Sequence, residues 1–281
     1  MIDMPNSQVL PTTDPRSHLS LRRIAAMVLR HWYLLKSSWP RLLEIMYWPT
    51  VNLLTWGLVQ TYVQQHSGFF AQAGGMIIGA MLLADVLVRS QQGFSFSFLE
   101  ELWSRNLGNI MMSPLRPSEF LASLMIVSVV RLAIGLIPIS LVAIVLFNFN
   151  IWGLGGVLVL FFANLIITGW AVGIVIAGLL LRQGMGAESF AWTVIFAIVP
   201  ITCVYYPVST LPHVLQPVAW ALPPTYVFEG MRATLIDHVF RGDLMAFAFG
   251  LNGLWMVCAI AAFYGFLGAA RRQGSLLSTG E

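Results

Sequence analysis

The run EFLASLMIVSVVRLAIGLIPISLVAIVLF at residues 119–147 is the feature from which the architecture of this chain follows. Its only charged residues are Glu119 and Arg131. About 20 predominantly apolar residues are enough for a helix to cross the hydrocarbon core of a bilayer. The run therefore predicts a membrane-spanning helix, and its excess length allows that helix to tilt.

The composition of the whole chain agrees with this prediction. Of the 281 residues, 58% are hydrophobic and only 10% are charged, and the mean hydropathy is +0.78. Soluble domains contain about 25% charged residues, and a soluble protein of this composition would expose large apolar patches. The apolar runs are continuous, whereas a β-barrel needs short alternating segments. We therefore predict an all-α polytopic membrane protein.

Five further segments share the character of residues 119–147. Together the six predicted spans cover residues 43–64, 70–91, 119–147, 153–181, 187–206 and 244–269. We expect them to form a single transmembrane domain at 19–272, between a mobile polar tail at 1–18 and a second tail at 273–281.

Residues 19–38, LSLRRIAAMVLRHWYLLKSS, precede the first predicted span. Apolar residues recur there at helical spacing, and basic residues decorate the pattern. The segment predicts an amphipathic helix that lies on the cytoplasmic leaflet. The alternative is a helix that simply leads into the first span.

Residues 207–243 are apolar but rich in proline, as the sequence PVSTLPHVLQPVAWALPPTYVF illustrates. Each proline removes a backbone hydrogen bond from a helix, and a lipid-facing helix cannot leave its backbone unsatisfied. We therefore expect a broken, re-entrant helical hairpin that the protein shields from lipid, rather than a seventh span.

The distribution of basic residues predicts the orientation. With six spans and a cytoplasmic N-terminus, only Arg232 and Arg241 lie outside, which agrees with the positive-inside rule. A seventh span would move Arg271 and Arg272 to the outside. Both termini are therefore expected to be cytoplasmic. The inner basic residues are Arg16, Arg22, Arg23, Arg30, Lys36, Arg41, Arg89, Arg105, Arg116, Arg182, Arg271 and Arg272.

Residues 92–118 form the largest predicted cytoplasmic loop and contain the patterned block EELWSRNLGNIMMSPLRP. Its apolar residues follow one helical stripe, and its charged residues lie largely off that stripe. The prolines at Pro114 and Pro117 end the pattern. The block predicts a short amphipathic helix parallel to the membrane. A helix that packs on its own bundle is the alternative. The stripe consists of Leu99, Leu102, Trp103, Leu107 and Ile110, and the charged residues are Glu100, Glu101 and Arg105.

The order of these features resembles the permease subunit of ABC-2-type ATP-binding-cassette exporters. The resemblance covers residues 19–272 and rests on the basic N-terminal helix, the loop between the second and third spans, the six-span core, and the hairpin before the last span. It implies that residues 98–111 form a coupling helix, in which Trp103 and Leu107 anchor to a separate ATPase subunit and Glu100, Glu101 and Arg105 set the register.

The resemblance also implies the partners and the location. Two copies of an ATPase subunit would carry the ATP and Mg²⁺, and a second permease copy would complete a homodimer in a bacterial inner membrane. The chain itself contains no G-x-x-x-x-G-K-[ST] phosphate-binding loop, so we expect it not to be an enzyme. We expect no bound cofactor, no metal and no nucleic-acid partner, with membrane lipids as its surroundings.

Four charged residues are candidates for a substrate path or a gate: Asp85, Arg131, Glu229 and Arg232. Arg131 lies deep in its predicted span, where an arginine must face protein or water. It either contacts an anionic substrate group or forms an ion pair, for which Asp85 is one candidate partner. Glu229 and Arg232 are one helical turn apart and form either an outer gate or a surface ion pair.

Small and aromatic residues have simpler interpretations. The pairs Gly75 with Gly79 and Gly169 with Gly173 match the small-xxx-small spacing of close helix packing. The tryptophans Trp48, Trp56, Trp152, Trp170, Trp192 and Trp220 are interpreted mostly as interfacial-belt or packing residues.

The predicted function is an ATP-driven export permease whose substrate is an amphipathic or hydrophobic small molecule, a lipid or a glycan. An ATP-independent secondary transporter or channel is the alternative, but it predicts inverted repeats or midplane carboxylates, and Asp85 is the sole candidate acid. A membrane-embedded enzyme would need a catalytic constellation that the sequence lacks.

Overall fold

The computed structural model describes residues 20–66 and 75–273, and this part of the chain is helical without β-strands. The all-α prediction is therefore confirmed for the described residues. The predicted tail at 1–18, residues 274–281 of the predicted tail at 273–281, and the start of the second predicted span lie outside them. The helices are α1 Leu21–Lys36, α2 Trp39–His66, α3 Met76–Trp103, α4 Leu107–Met112, α5 Pro117–Phe147, α6 Gly156–Gln183, α7 Glu188–Ile201, α8 Gln216–Trp220, α9 Pro223–Ile236 and α10 Gly242–Gln273.

Three helical segments of the described chain are long and apolar enough to cross a membrane: Pro117–Phe147, Gly156–Ile201 and Gly242–Gln273. The second segment contains α6, a 3-10 turn at Gly184–Ala187, and α7. The chain is therefore a membrane protein by the length and composition of its helices.

Helix α3 lies at the centre of the bundle, and most of its residues are buried. It packs against α2, α5, α6 and α7, while α6 separates it from α10. Glycines allow the closest approach: a Cβ atom at Gly169 would lie 2.9 Å from the backbone nitrogen of Gln91, and one at Gly173 would lie 2.9 Å from Phe94. This predicted packing pair therefore faces α3 within the same chain.

The glycine pair at the start of α3 has a different environment. Gly75 has a left-handed backbone with φ of 88°, which favours glycine. Gly79 lies against Leu235 of α9 and Phe149, and a Cβ there would be 3.2 Å from each of them. The pair thus sits where α3 begins, beside the α5–α6 connection.

Helices α2, α5 and α7 run in one direction, and α3, α6 and α10 run in the other. Pairs of contacts establish this. Gly93 meets Ser128 and Phe98 meets Phe120, so α3 and α5 are antiparallel. Asn164 meets Asn252 and Gly178 meets Phe263, so α6 and α10 are parallel. Helices α1 and α4 lie at one end of the bundle, here called the α4 end. Residues 202–222 lie at the opposite end, here called the hairpin end.

The proline-rich region is broken into short elements. The chain turns at Cys203, whose φ is 58°, and forms a 3-10 turn at Val208–Thr210 before the five-residue helix α8. Prolines occupy the first turns of α8 and α9, where the missing N–H has no helical partner in any case. Thr225 donates a hydrogen bond to the Ala219 carbonyl oxygen at 2.6 Å, which ties the two helices together.

The prediction of one continuous helix over 98–111 is wrong. Helix α3 continues through Trp103, a non-helical break follows at residues 104–106, and α4 begins at Leu107. At the break Arg105 has a left-handed backbone with φ of 52°. The predicted loop at 92–118 is therefore helical from its first residue to Trp103.

Candidate functional site

A cavity of about 610 Å³ lies between α2, α3, α5 and α7. It extends along the bundle from Arg41 and Trp103 near the α4 end to Trp56 and Tyr205 near the hairpin end. Its lining combines aromatic rings with charged side chains. Clefts of roughly 300–1,000 Å³ with apolar walls and a few placed polar groups are typical ligand sites.

Aromatic rings from three helices form much of the cavity lining. The Phe96 and Trp192 rings are 4.2 Å apart between centroids, which joins α3 to α7. The Trp56 and Tyr205 rings are stacked at 4.6 Å with an interplanar angle of 21°. The aromatic group consists of Trp48, Trp56, Phe96, Trp103, Trp192, Phe196 and Tyr205.

Two ion-paired sets form most of the charged part of the lining. Arg131 donates from its Nη2 atom to both carboxylate oxygens of Glu100, at 2.8 and 2.7 Å, and Arg41 lies 3.6 Å from the same carboxylate. Arg89 donates to Asp85 at 2.6 Å, one turn away on α3. The prediction that Asp85 is a candidate partner of Arg131 is therefore wrong, because Asp85 pairs with Arg89 and Arg131 pairs with Glu100.

Helix geometry explains how Glu100 reaches Arg131. Helical side chains tilt toward the N-terminus of their own helix. Because α3 and α5 run in opposite directions, the two side chains tilt toward each other. Arg131 and Glu100 are only 11% and 10% exposed in their side chains, so their charges meet largely away from solvent. Removing one partner of a pair buried to this degree strongly destabilises the folded protein, because the other charge is left uncompensated.

A second carboxylate at the α4 end fastens α1 to the bundle. Glu101 is buried and is paired with Arg30, while the Nε2 atom of His31 lies 3.3 Å away. Asn106 donates to the other carboxylate oxygen at 3.0 Å. Helix α1 is thus fixed to the end of α3 and to the break that precedes α4.

Glu119 provides a second attachment for α1, near the start of α5. It accepts hydrogen bonds from the Ser20 backbone N–H and from Arg23, each at 2.7 Å. It also accepts one from the Arg116 backbone N–H at 2.9 Å. The carboxylate therefore caps α5 and fixes the beginning of α1 at the same time.

The predicted coupling residues fall into three groups. Four of the apolar ones are buried in the bundle, namely Leu99, Leu102, Leu107 and Ile110. Glu100 and Glu101 are engaged in the ion pairs described above. Only Trp103, which is 47% exposed, and Arg105 present exposed side chains.

Trp103 also touches the start of α7. Its Nε1 atom is 3.5 Å from the Glu188 carboxylate, and its ring lines the cavity. This side chain therefore connects the exposed end of α3 with a helix that lines the cavity.

The outer candidates Glu229 and Arg232 do not line the cavity. Arg232 donates to the carbonyl oxygens of Cys203 and Val204 at 2.8 and 3.3 Å. Glu229 accepts from the Val208 N–H at 2.8 Å and pairs with Arg232 at 2.9 Å. The pair thus holds the turn that follows α7, directly before the cavity residue Tyr205.

The tryptophans of the cavity are residues whose role the sequence analysis missed. Trp48, Trp56 and Trp192 were interpreted as belt or packing residues, yet they line the cavity. One signal was present in α2: Arg41, Ile45, Trp48, Asn52 and Trp56 recur every three or four residues and form one face of the helix. Within the described residues, no group of three His, Cys, Asp or Glu side chains is arranged to hold a metal ion.

Comparison with known proteins adds one match. A family model described as ABC-2 type transporter matches residues 24–236. This range begins in α1, includes the cavity and both sets of ion pairs, and ends with α9. No curated protein matches the chain.

Proposed function

The chain belongs to the ABC-2 type transporter family, and from this premise we propose that it is the permease subunit of an ATP-driven exporter in a bacterial cytoplasmic membrane. ATP and Mg²⁺ are bound by two copies of a separate ATPase subunit. Two copies of this chain form a homodimer, and the cavity is the substrate path. The substrate is an amphipathic or hydrophobic small molecule, a lipid or a glycan.

In this proposal six helices cross the membrane: α2, α3, α5, α6, α7 and α10. Helix α7 has 14 residues and rises about 21 Å at 1.5 Å per residue, which is shorter than the roughly 30 Å hydrocarbon core. Residues 202–222 therefore complete its crossing as a re-entrant segment. Irregular backbone at this depth is tolerated where protein shields it, as Arg232 and Glu229 do for the turn at Cys203.

The observation that carries the proposal is the continuity between the α4 end and the cavity. Glu100 on the last turn of α3 holds Arg131 in the cavity lining, and Trp103 joins the same turn to Glu188 of α7. A force applied to the exposed residues around Trp103 and Arg105 is thereby transmitted to two cavity helices. Rigid contacts of this kind are what an ATPase on the cytoplasmic face needs in order to drive transport.

The proposal is tested by purifying the tagged chain in mild detergent and measuring the ATPase activity that accompanies it. Mass spectrometry identifies any P-loop ATPase that co-purifies. The test variant is Trp103→Ala with Arg105→Glu, which changes the exposed last residue of α3 and an exposed residue of the break that follows it. We expect the variant to lose the ATPase subunit or to uncouple its activity from transport.

The matched control carries the same two changes at the hairpin end, as Trp220→Ala with Arg241→Glu. Both residues are exposed there, and the control should retain the ATPase. If cross-linking recovers no ATPase with the wild type, and vesicle transport follows an ion gradient alone, the chain is a secondary transporter and the proposal is wrong.

A further inference from the structure

Arg131 is a largely buried charged residue of the cavity whose hydrogen bonding is incomplete. Its Nη2 atom binds Glu100, but its Nε atom is buried without a hydrogen-bond partner. We propose that the Arg131 guanidinium binds the anionic headgroup of an amphiphilic ligand, and that Glu100 is an intramolecular competitor that occupies it in this structure.

This inference rests on the proposed function, because it takes the cavity as the substrate path, and it names a headgroup chemistry for that path. A phosphate or carboxylate has acceptor oxygens that match the planar guanidinium fork. Both Glu100 oxygens lie within 2.8 Å of the single nitrogen Nη2, so the carboxylate does not use the Nε–H of the fork, which is left without a partner. An anionic headgroup would replace the Glu100 carboxylate as the anion that accepts hydrogen bonds from the guanidinium.

The balance of donors and acceptors in the cavity favours an acceptor-rich ligand. Each guanidinium carries five N–H donors and no acceptor, and an indole carries one donor and no acceptor. Three arginines and four tryptophans line the cavity, against the carboxylates of Glu44, Asp85 and Glu100. Two of these three carboxylates are already paired with arginines. Among these guanidinium, indole and carboxylate groups, unused donors therefore outnumber unused acceptors.

A cationic ligand would fit less well. It would leave the Arg131 Nε–H without an acceptor and would have to compete with arginine for Asp85 or Glu100. Glu44 is the one cavity carboxylate with no ion pair among the described residues, and it is exposed. A single exposed carboxylate contributes little binding energy.

The rest of the lining accounts for the apolar part of the ligand. The aromatic rings of Trp48, Trp56, Trp192 and Phe196 border the same space as Arg131. Large rings of this type bury apolar surface efficiently. A headgroup at Arg131 would therefore place a hydrocarbon or ring system against the aromatic group.

The positions of the two charged residues explain why Glu100, rather than Arg131, is the mobile partner. Arg131 lies in the interior of the long helix α5, whereas Glu100 lies in the last turn of α3, beside the break at 104–106. The exposed residues of that break are the ones on which the proposed ATPase contact acts. Movement of this last turn would withdraw Glu100 and leave Arg131 facing the cavity.

The test measures binding to the full-length chain in phosphatidylcholine nanodiscs by titration calorimetry. The probes are decyl phosphate, decyl maltoside, decyltrimethylammonium and inorganic phosphate, and the three amphiphiles are used below their micellar concentrations. The first three share one tail and differ in headgroup charge. We expect decyl phosphate to bind about tenfold more tightly than decyl maltoside, as one charge-assisted contact predicts.

Two single variants and their double variant assign the preference to the proposed residues. Glu100→Gln should tighten decyl phosphate binding about tenfold, because it removes the competing charge. Arg131→Gln should reduce decyl phosphate to the affinity of decyl maltoside. Because Arg131→Gln leaves Glu100 buried without its partner, the double variant Glu100→Gln with Arg131→Gln repeats the measurement without a stranded charge. Its thermal unfolding confirms that the bundle is intact.

Three results would overturn the inference. The first is that Glu100→Gln weakens decyl phosphate binding. The second is that decyltrimethylammonium binds more tightly than decyl phosphate. The third is that inorganic phosphate alone binds as tightly as decyl phosphate. The last result would make the site one for a free anion and not for an amphiphile. Recovery of the ATPase with a wild type that shows no headgroup preference would sink this inference alone, whereas failure to recover any ATPase would sink the proposed function.

Discussion

Among the described glycines, Gly169 is the one at which an added Cβ atom would come closest to a neighbour. A Cβ atom there would approach both the Ser90 side chain and the Gln91 backbone of α3, and a backbone cannot move aside as a flexible side chain can. We expect Gly169→Ala to destabilise the chain by about 1–3 kcal/mol, the usual cost of overpacking. Thermal unfolding in detergent, followed by size-exclusion chromatography, measures the effect.

Gly268→Ala is the matched control for this change, because a Cβ atom at Gly268 on α10 meets nothing within 4 Å. Alanine is favoured over glycine in a helix by about 1 kcal/mol, so the control should be neutral or stabilising. Equal losses in the two variants would show that the α3–α6 contact is not as close as described.

Gln60 is a second residue whose role depends on one contact. Its side-chain oxygen accepts the Ile78 backbone N–H at 3.0 Å, which satisfies a buried donor in the first turn of α3. We expect Gln60→Met to cost about 1–3 kcal/mol in unfolding free energy, because it leaves that N–H unpaired. Gln65→Met on the exposed part of α2 is the control, and an equal effect at both positions would contradict the assignment.

At the scale of elements, the attachment of α1 depends on few ion pairs. Removing Arg30 leaves the buried Glu101 with only His31 and Asn106, and unpaired buried charges are costly. We expect Arg30→Ala to increase amide hydrogen exchange throughout α1. Arg22→Ala, which changes an exposed residue of the same helix, should leave the exchange unchanged. Identical exchange in the two variants would show that Glu101 does not hold α1.

The elements also show what could be predicted from the sequence. Helices α1, α2, α5, α6 and α10 correspond to apolar patterns that are local in the chain, and local patterns can be recognised without a structure. The extension of α3 to Trp103 could not be predicted in this way, because Glu100 and Glu101 were expected to face a partner subunit. Their actual partners, Arg131 and Arg30, are 31 and 71 residues away, and no local pattern encodes such contacts.

The cavity was missed for a related reason. Its tryptophans are dispersed over α2, α3 and α7, and each one taken alone resembles a residue of the interfacial belt. Only the packing of these helices brings Phe96 against Trp192 and Trp56 against Tyr205. Only one part of this arrangement was visible in the sequence, namely the recurrence of polar and aromatic residues along one face of α2.

At the scale of the whole molecule, the proposed orientation places the α4 end in the cytosol. Impermeant maleimide should therefore label Arg241→Cys in intact cells, and label Arg182→Cys only after permeabilisation. Both side chains are exposed at opposite ends of the bundle. The background variant replaces Cys203 and Cys258 by alanine. The reverse labelling pattern would invert the orientation and exclude a cytoplasmic ATPase at the α4 end.

The stacked rings of Trp56 and Tyr205 lie where the cavity approaches the hairpin end, and their contact joins α2 to the turn that Arg232 holds. If this contact closes the path outward, truncating it should open the cavity without ATP. We expect Trp56→Ala with Tyr205→Ala to increase several-fold the rate at which impermeant maleimide labels Asn52→Cys, a cavity residue, in intact cells.

Trp220→Ala with Tyr226→Ala is the control for this opening, because that ring pair has centroids 4.9 Å apart near the hairpin end but does not line the cavity. It removes a similar amount of aromatic surface and should leave the labelling of Asn52→Cys slow. Equal acceleration in both double variants would mean that the hairpin region as a whole had loosened. An unchanged rate in the Trp56 and Tyr205 variant would place the outward barrier elsewhere, since the cavity would then be closed by residues other than this pair.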